Sequence, residues 1–128
     1  MALNIILITG TREKLQMAAM IAAVSAVSEE EVSVFVSMNA IEYFLIDGVD
    51  KSAPPEGRLG ELLESKNAPP FMQIMEQAVE LGGAKFHPCS MAIDILGVSQ
   101  SELLPFMEKP LGLTKFLADT KGQQVLVF

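Results

Sequence analysis

Apolar and polar positions along this chain fall into alternating blocks of two kinds. Leu3 to Thr9 is a β-branched apolar run, the pattern of a strand buried on both faces. Gly10 and Thr11 turn the chain. Arg12 to about Ser28 is rich in Ala, Met and Leu and predicts a helix, with Thr11 as N-cap and Glu13 in the first turn. Glu29, Glu30 and Glu31 are unfavourable at a helix C-terminus, so the helix is expected to stop before them. Val32 to Ser37 predicts a second strand. Asn39 is placed to cap a short helix over 40–46. Residues 47–70 are polar and broken by Pro54, Pro55, Gly57, Gly60, Pro69 and Pro70, with one short helix predicted over 58–66. A connection this long is often a lid or binding loop. Phe71, Ile74, Met75, Ala78 and Val79 recur at helical spacing, and Gly82-Gly83 ends that helix. A third strand is predicted over 84–88, helices over 90–96, 101–107 and 113–120, and a final strand over 124–128.

Strands that alternate with helices predict an α/β domain with a mostly parallel sheet and right-handed crossovers. The length of 128 residues fits one domain. The helix after the first strand is apolar nearly all round, more than one sheet can cover, so a homo-oligomer is expected.

Composition narrows the function classes. The net charge is −7 and the basic residues are scattered, which argues against nucleic acid as a partner. The longest apolar stretch, Leu15 to Val27, is interrupted by Gln16 and Ser25 and is too short for a membrane span. The N-terminus reads as a strand, without a signal-peptide pattern. One cysteine forms no internal disulfide, so a reducing, cytoplasmic setting is expected. One Cys and one His make no zinc site without several carboxylates, and no cofactor is expected.

The candidate chemistry centres on Cys89. An apolar run ends there and a helical pattern begins, which places a thiol at a helix N-terminus, where backbone N–H groups favour thiolate. Ligands of open parallel sheets bind beyond the C-terminal ends of the strands. Thr9 to Arg12, Ser37 to Asn39 and Pro88 to Ser90 are expected to converge there. Auxiliary candidates are therefore His87, Ser90, Thr11, Arg12 and Asn39. If the third strand continued through Cys89, the His87 side chain would share its face. The alternative for Cys89 is a small buried hydrophobe. Gly10-Thr11-Arg12 is neither a P-loop nor a G-x-G-x-x-G turn.

Three stretches carry a family resemblance: Thr9 to Leu15 with the Ala/Met-rich helix and the strand at 32–37, then Cys89-Ser90-Met91-Ala92-Ile93-Asp94-Ile95-Leu96-Gly97, and the ending from Gly112 to Phe128. Together they resemble the DsrE/DsrF-like sulfur-relay proteins, in the soluble branch with a C-x-M-x-x-D-x-x-G signature. The resemblance implies a single Rossmann-like domain over 1–128, with about five strands and helices on both faces, assembled into homo-oligomers. It implies that Cys89 accepts sulfane sulfur as a persulfide or S-thiosulfonate. The sulfur would come from a small donor or carrier protein and pass to a partner. A non-catalytic oligomeric scaffold with an inert cysteine is the competing reading. A thiol peroxidase lacks a resolving cysteine.

Overall fold

The computed structural model describes residues 1–48 and 50–128, so Val49, in the expected 47–70 connection, lies outside the described residues. Four strands form the sheet: β1 (Ala2–Leu7), β2 (Glu31–Val36), β3 (Lys85–Pro88) and β4 (Gln124–Val127). Their order is β3-β2-β1-β4 and every pairing is parallel. The helices are α1 (Arg12–Val27), α2 (Arg58–Ser65), α3 (Phe71–Gly82), α4 (Ser90–Leu96) and α5 (Leu113–Asp119).

The expected count of about five strands is corrected to four among the described residues. The outer side of β3 is instead met by the chain at Met107 and Leu111, through isolated parallel bridges to Phe86 and Cys89. Pro110 lies between them and has no N–H to extend a ladder. The helix expected over 101–107 is also corrected. A 3₁₀ turn, Gln100–Glu102, is closed by a capping box between Ser99 and Glu102. Leu103 then runs extended to bridge Leu45, and Pro105 disfavours helix at Leu104. The expected cap at Asn39 falls inside a 3₁₀ segment, Met38–Phe44, that begins after Ser37.

Strand alternation gives the sheet two faces. Leu3, Ile5, Leu7, Val32, Val34, Val36 and Phe86 are buried on one, beneath α1 and the rings of Phe44 and Phe106, with α3 packed on α1. The opposite face carries Asn4, Ile6, Ser33, Phe35 and His87. Phe116 of α5 covers part of it, with its ring 5.2 Å from Phe35. Helices thus flank both faces, as expected. α1 buries Leu15, Ala18, Ala19, Ala22 and Ala26. Met17, Met20, Val24 and Val27 remain exposed on the same helix. α1 and α3 pack closely because small residues meet at their crossing, where Gly82 lies directly against Ala26.

Candidate functional site

The strand ends form a row. Ser37 N donates to Leu7 O at 2.9 Å and Cys89 N donates to Val36 O at 2.8 Å. Each strand therefore hands its hydrogen bonding to the first residue beyond its neighbour. Cys89 follows β3 directly with extended backbone (φ −67°, ψ 122°) and is the N-cap of α4. The helix begins because Ile93 N reaches Cys89 O at 3.0 Å, and it stops where Gly97 takes the left-handed conformation (φ 68°).

A second segment pins the cysteine from the other side. Leu111 N donates to Pro88 O at 2.9 Å, and Ser90 N donates to Leu111 O at 3.0 Å. Cys89 is thereby held between β2 and Leu111, and it is a free thiol with 5% of its surface exposed. One of the backbone N–H groups expected to face the sulfur, that of Ser90, is already given to Leu111. Sequence reasoning missed this clamp. Pro110 and Gly112, which bracket Leu111, were the only local signal of a break in regular structure there.

The auxiliary candidates separate. Cys89 keeps extended backbone and its bond to Val36 O just beyond the end of β3. His87 lies against the Phe116 ring at 6.5 Å, and no hydrogen bond joins it to Cys89 among the described residues. Burial pushes the His87 pKa down, opposed by the charges of Glu108 and Asp119 and assisted by Lys85. Ser90 adjoins the cysteine at the start of α4. Asn39 is exposed, and its carbonyl lies 2.9 Å from where a Cβ on Gly10 would stand. That approach explains a glycine there.

Thr11 and Arg12 turn toward the 52–64 segment. The Thr11 hydroxyl donates to the Glu56 carboxylate, which also accepts from Lys14 Nζ at 2.9 Å. These two donors lower the Glu56 pKa. Arg12 Nη1 donates to Gly60 O at 2.7 Å, and Nη2 reaches Ser52 Oγ and Glu64 Oε2, each at 2.9 Å. Glu13 accepts from the backbone N–H groups of Glu56, Gly57 and Gly60 at 2.8 to 3.1 Å. These bonds lower its pKa, the one from Glu56 most. Four consecutive residues of the α1 start thus tie down the long connection. Cys89 lines neither the cavity beside Arg12 nor the one beside His87. Among the described residues, no cluster of His, Cys, Asp and Glu has the form of a metal site, and no helix is long and apolar enough to cross a membrane.

Comparison with known proteins adds three findings. The profile of the DsrE/DsrF/DrsH-like family matches residues 56–128, more than half of the chain and inclusive of Cys89. The fold is similar to that of the crystal structure of the YchN protein from E. coli, with a TM-score of 0.63, 17% identity and 100% coverage of both chains. It is also similar to MTH1491, a protein of unknown function from Methanobacterium thermoautotrophicum, with a TM-score of 0.62, 12% identity and 100% coverage of both. No curated protein matches by sequence.

Proposed function

Since this chain belongs to the DsrE/DsrF/DrsH-like family, we propose that it is a sulfur carrier that accepts sulfane sulfur on Cys89 and relays it to a partner. The observation that carries this reading is the placement of the only thiol: directly after β3, capping α4, inside the matched region. The Cys89 thiolate attacks a divalent, sulfane sulfur of a donor: the terminal one of thiosulfate, an inner one of tetrathionate. With thiosulfate, the S–S bond breaks, sulfite leaves with its electron pair and Cys89 becomes a persulfide. With tetrathionate, thiosulfate leaves and Cys89 becomes an S-thiosulfonate. The thiol makes no cap hydrogen bond to the first turn; with the Ser90 N–H committed to Leu111, the N–H groups of Met91 and Ala92 are the first-turn donors left for an anionic sulfur to recruit. The protein works as a homo-oligomer in the cytoplasm, with the exposed Met17, Met20, Val24 and Val27 of α1 in a subunit contact.

One observation favours the second reading, an oligomeric scaffold whose cysteine is inert: Cys89 is almost fully buried among core residues. Intact-mass spectrometry separates the two. Native protein is incubated with thiosulfate, tetrathionate or a small persulfide, beside a Cys89→Ser variant. A reducible sulfur or thiosulfate adduct on the wild type alone supports the carrier. Its absence with every donor, together with a thiol alkylated only after unfolding, supports the scaffold.

A further inference from the structure

A cavity of about 340 Å³ opens between the start of α1, α2 and the beginning of α3. Its size falls at the lower end of small-molecule sites, roughly 300–1,000 Å³. Leu63, Phe71, Met72 and Ala53 give it an apolar body. Two polar side chains mark one wall. Gln16, 8% exposed, donates through Nε2 to Pro69 O at 3.1 Å, which leaves its Oε1 as an acceptor on the cavity wall. Arg12 is the other, and its ion pair is lopsided: the arginine side chain is 12% exposed, while its partner Glu64 is 66% exposed. Gly60 O and Ser52 Oγ also accept from the guanidinium and fix its position. The cation is therefore built into the fold, and its carboxylate partner is not.

We propose that this cavity binds a small organic acid, a carboxylate on an apolar body, with the carboxylate replacing Glu64 on Arg12. Glu64 is a cheap group to displace. With Glu64 two-thirds exposed the pair is close to a surface ion pair, worth roughly 0–1 kcal/mol, and a freed Glu64 returns to water. The incoming carboxylate keeps the buried guanidinium neutralised, so no charge is left unpaired. The ligand tail then covers Leu63, Phe71 and Met72, which gives the exchange its driving force. Asp50 and Lys51 also line the cavity and add no net charge. This site is independent of the sulfur chemistry, because Cys89 is not among its lining residues.

The test is an amide NMR titration of the full chain with sodium octanoate, in parallel with octylammonium chloride. Octanoate is expected to shift, saturably, the amides of residues 12–16, 52–53 and 63–72, and octylammonium is not. Glu64→Gln removes the competing carboxylate and is expected to tighten octanoate binding about 1.5- to 5-fold. Ala68→Trp fills the cavity and is expected to abolish the shifts with an unchanged thermal midpoint. If that variant melts lower, Leu63→Trp takes its place. Cys89→Ser is expected to bind octanoate as the wild type does. The proposal is overturned if octanoate shifts nothing there, if octylammonium gives the same map, or if Glu64→Gln leaves binding unchanged or weaker.

Discussion

Gly82→Ala tests whether the α1–α3 contact is as tight as its geometry implies. A Cβ at residue 82 would stand 2.3 Å from Ala26 Cβ, 2.7 Å from its carbonyl carbon and 2.9 Å from its oxygen. Ordinary carbon contacts lie at about 3.5–4.0 Å, so the helices must part by roughly 1 Å. Two of the three obstructing atoms are backbone, so no rotamer change relieves the clash. Overpacking of this kind costs about 1–3 kcal/mol. Alanine at this last helical residue returns at most about 1 kcal/mol of helix propensity. The shortfall against backbone favours the upper half of the cost, leaving a net loss of about 1–2 kcal/mol, or roughly 3–8 °C in thermal midpoint. Urea denaturation followed by circular dichroism reads the difference. Adding Ala26→Gly should recover only part of it, because the carbonyl remains. A Gly82→Ala protein as stable as wild type would refute the close-approach argument.

Three further outcomes follow from the site and its surroundings. Leu111→Ala weakens the segment that pins Cys89, and a loss of roughly 1 kcal/mol from this partly buried side chain should raise native-state alkylation of the thiol about five-fold; an unchanged rate at equal global stability removes Leu111 as a gate. His87 has its pKa lowered by burial, so the unfolded chain takes up the proton first as pH falls. Its contribution is intact above the unfolded value of about 6.5 and shrinks as pH drops toward the folded value. His87→Gln should flatten urea midpoints between pH 7.5 and 5, and an equally steep wild-type-like slope would contradict this assignment. Glu13, its carboxyl lowered by three backbone N–H donors, contributes stability present above its unfolded pKa and lost as pH falls through the folded one. Glu13→Gln should speed hydrogen exchange at the Glu56, Gly57 and Gly60 amides selectively, and uniform exchange across the chain would count against the clamp.

Local chemistry made several elements legible in the sequence. The helix at 71–82 and the one at 90–96 both end on a glycine that adopts positive φ, at Gly83 and Gly97, and that signal needs no tertiary information. Alternating strand and helix patterns likewise revealed the parallel architecture, because fully buried strands have a distinctive composition. Long-range pairings were not legible. The direction of the Arg12 side chain is set by Gly60 and Glu64, far along the chain, and nothing near residue 12 encodes it. The chain beside β3 reads as a fifth strand or as a loop depending on one hydrogen bond that Pro110 cannot make. The junction at Cys89 was visible, and so was the hydroxyl-rich turn at Thr11. Their separation was not, because it depends on where the 52–64 connection folds back.

The burial of Cys89 has a consequence for the timing of any chemistry there. A cysteine with 5% of its surface exposed is reached mainly when the fold opens locally, and the Leu111 segment bridged to it is one element whose opening would expose it. Sulfur bound to it would be shielded from the small thiols and water that strip persulfides in bulk solvent. Release would then wait on a docking surface that holds the segment open. In such an arrangement the lifetime of the cargo is set by a backbone hinge, and the choice of recipient by whatever is able to trip it.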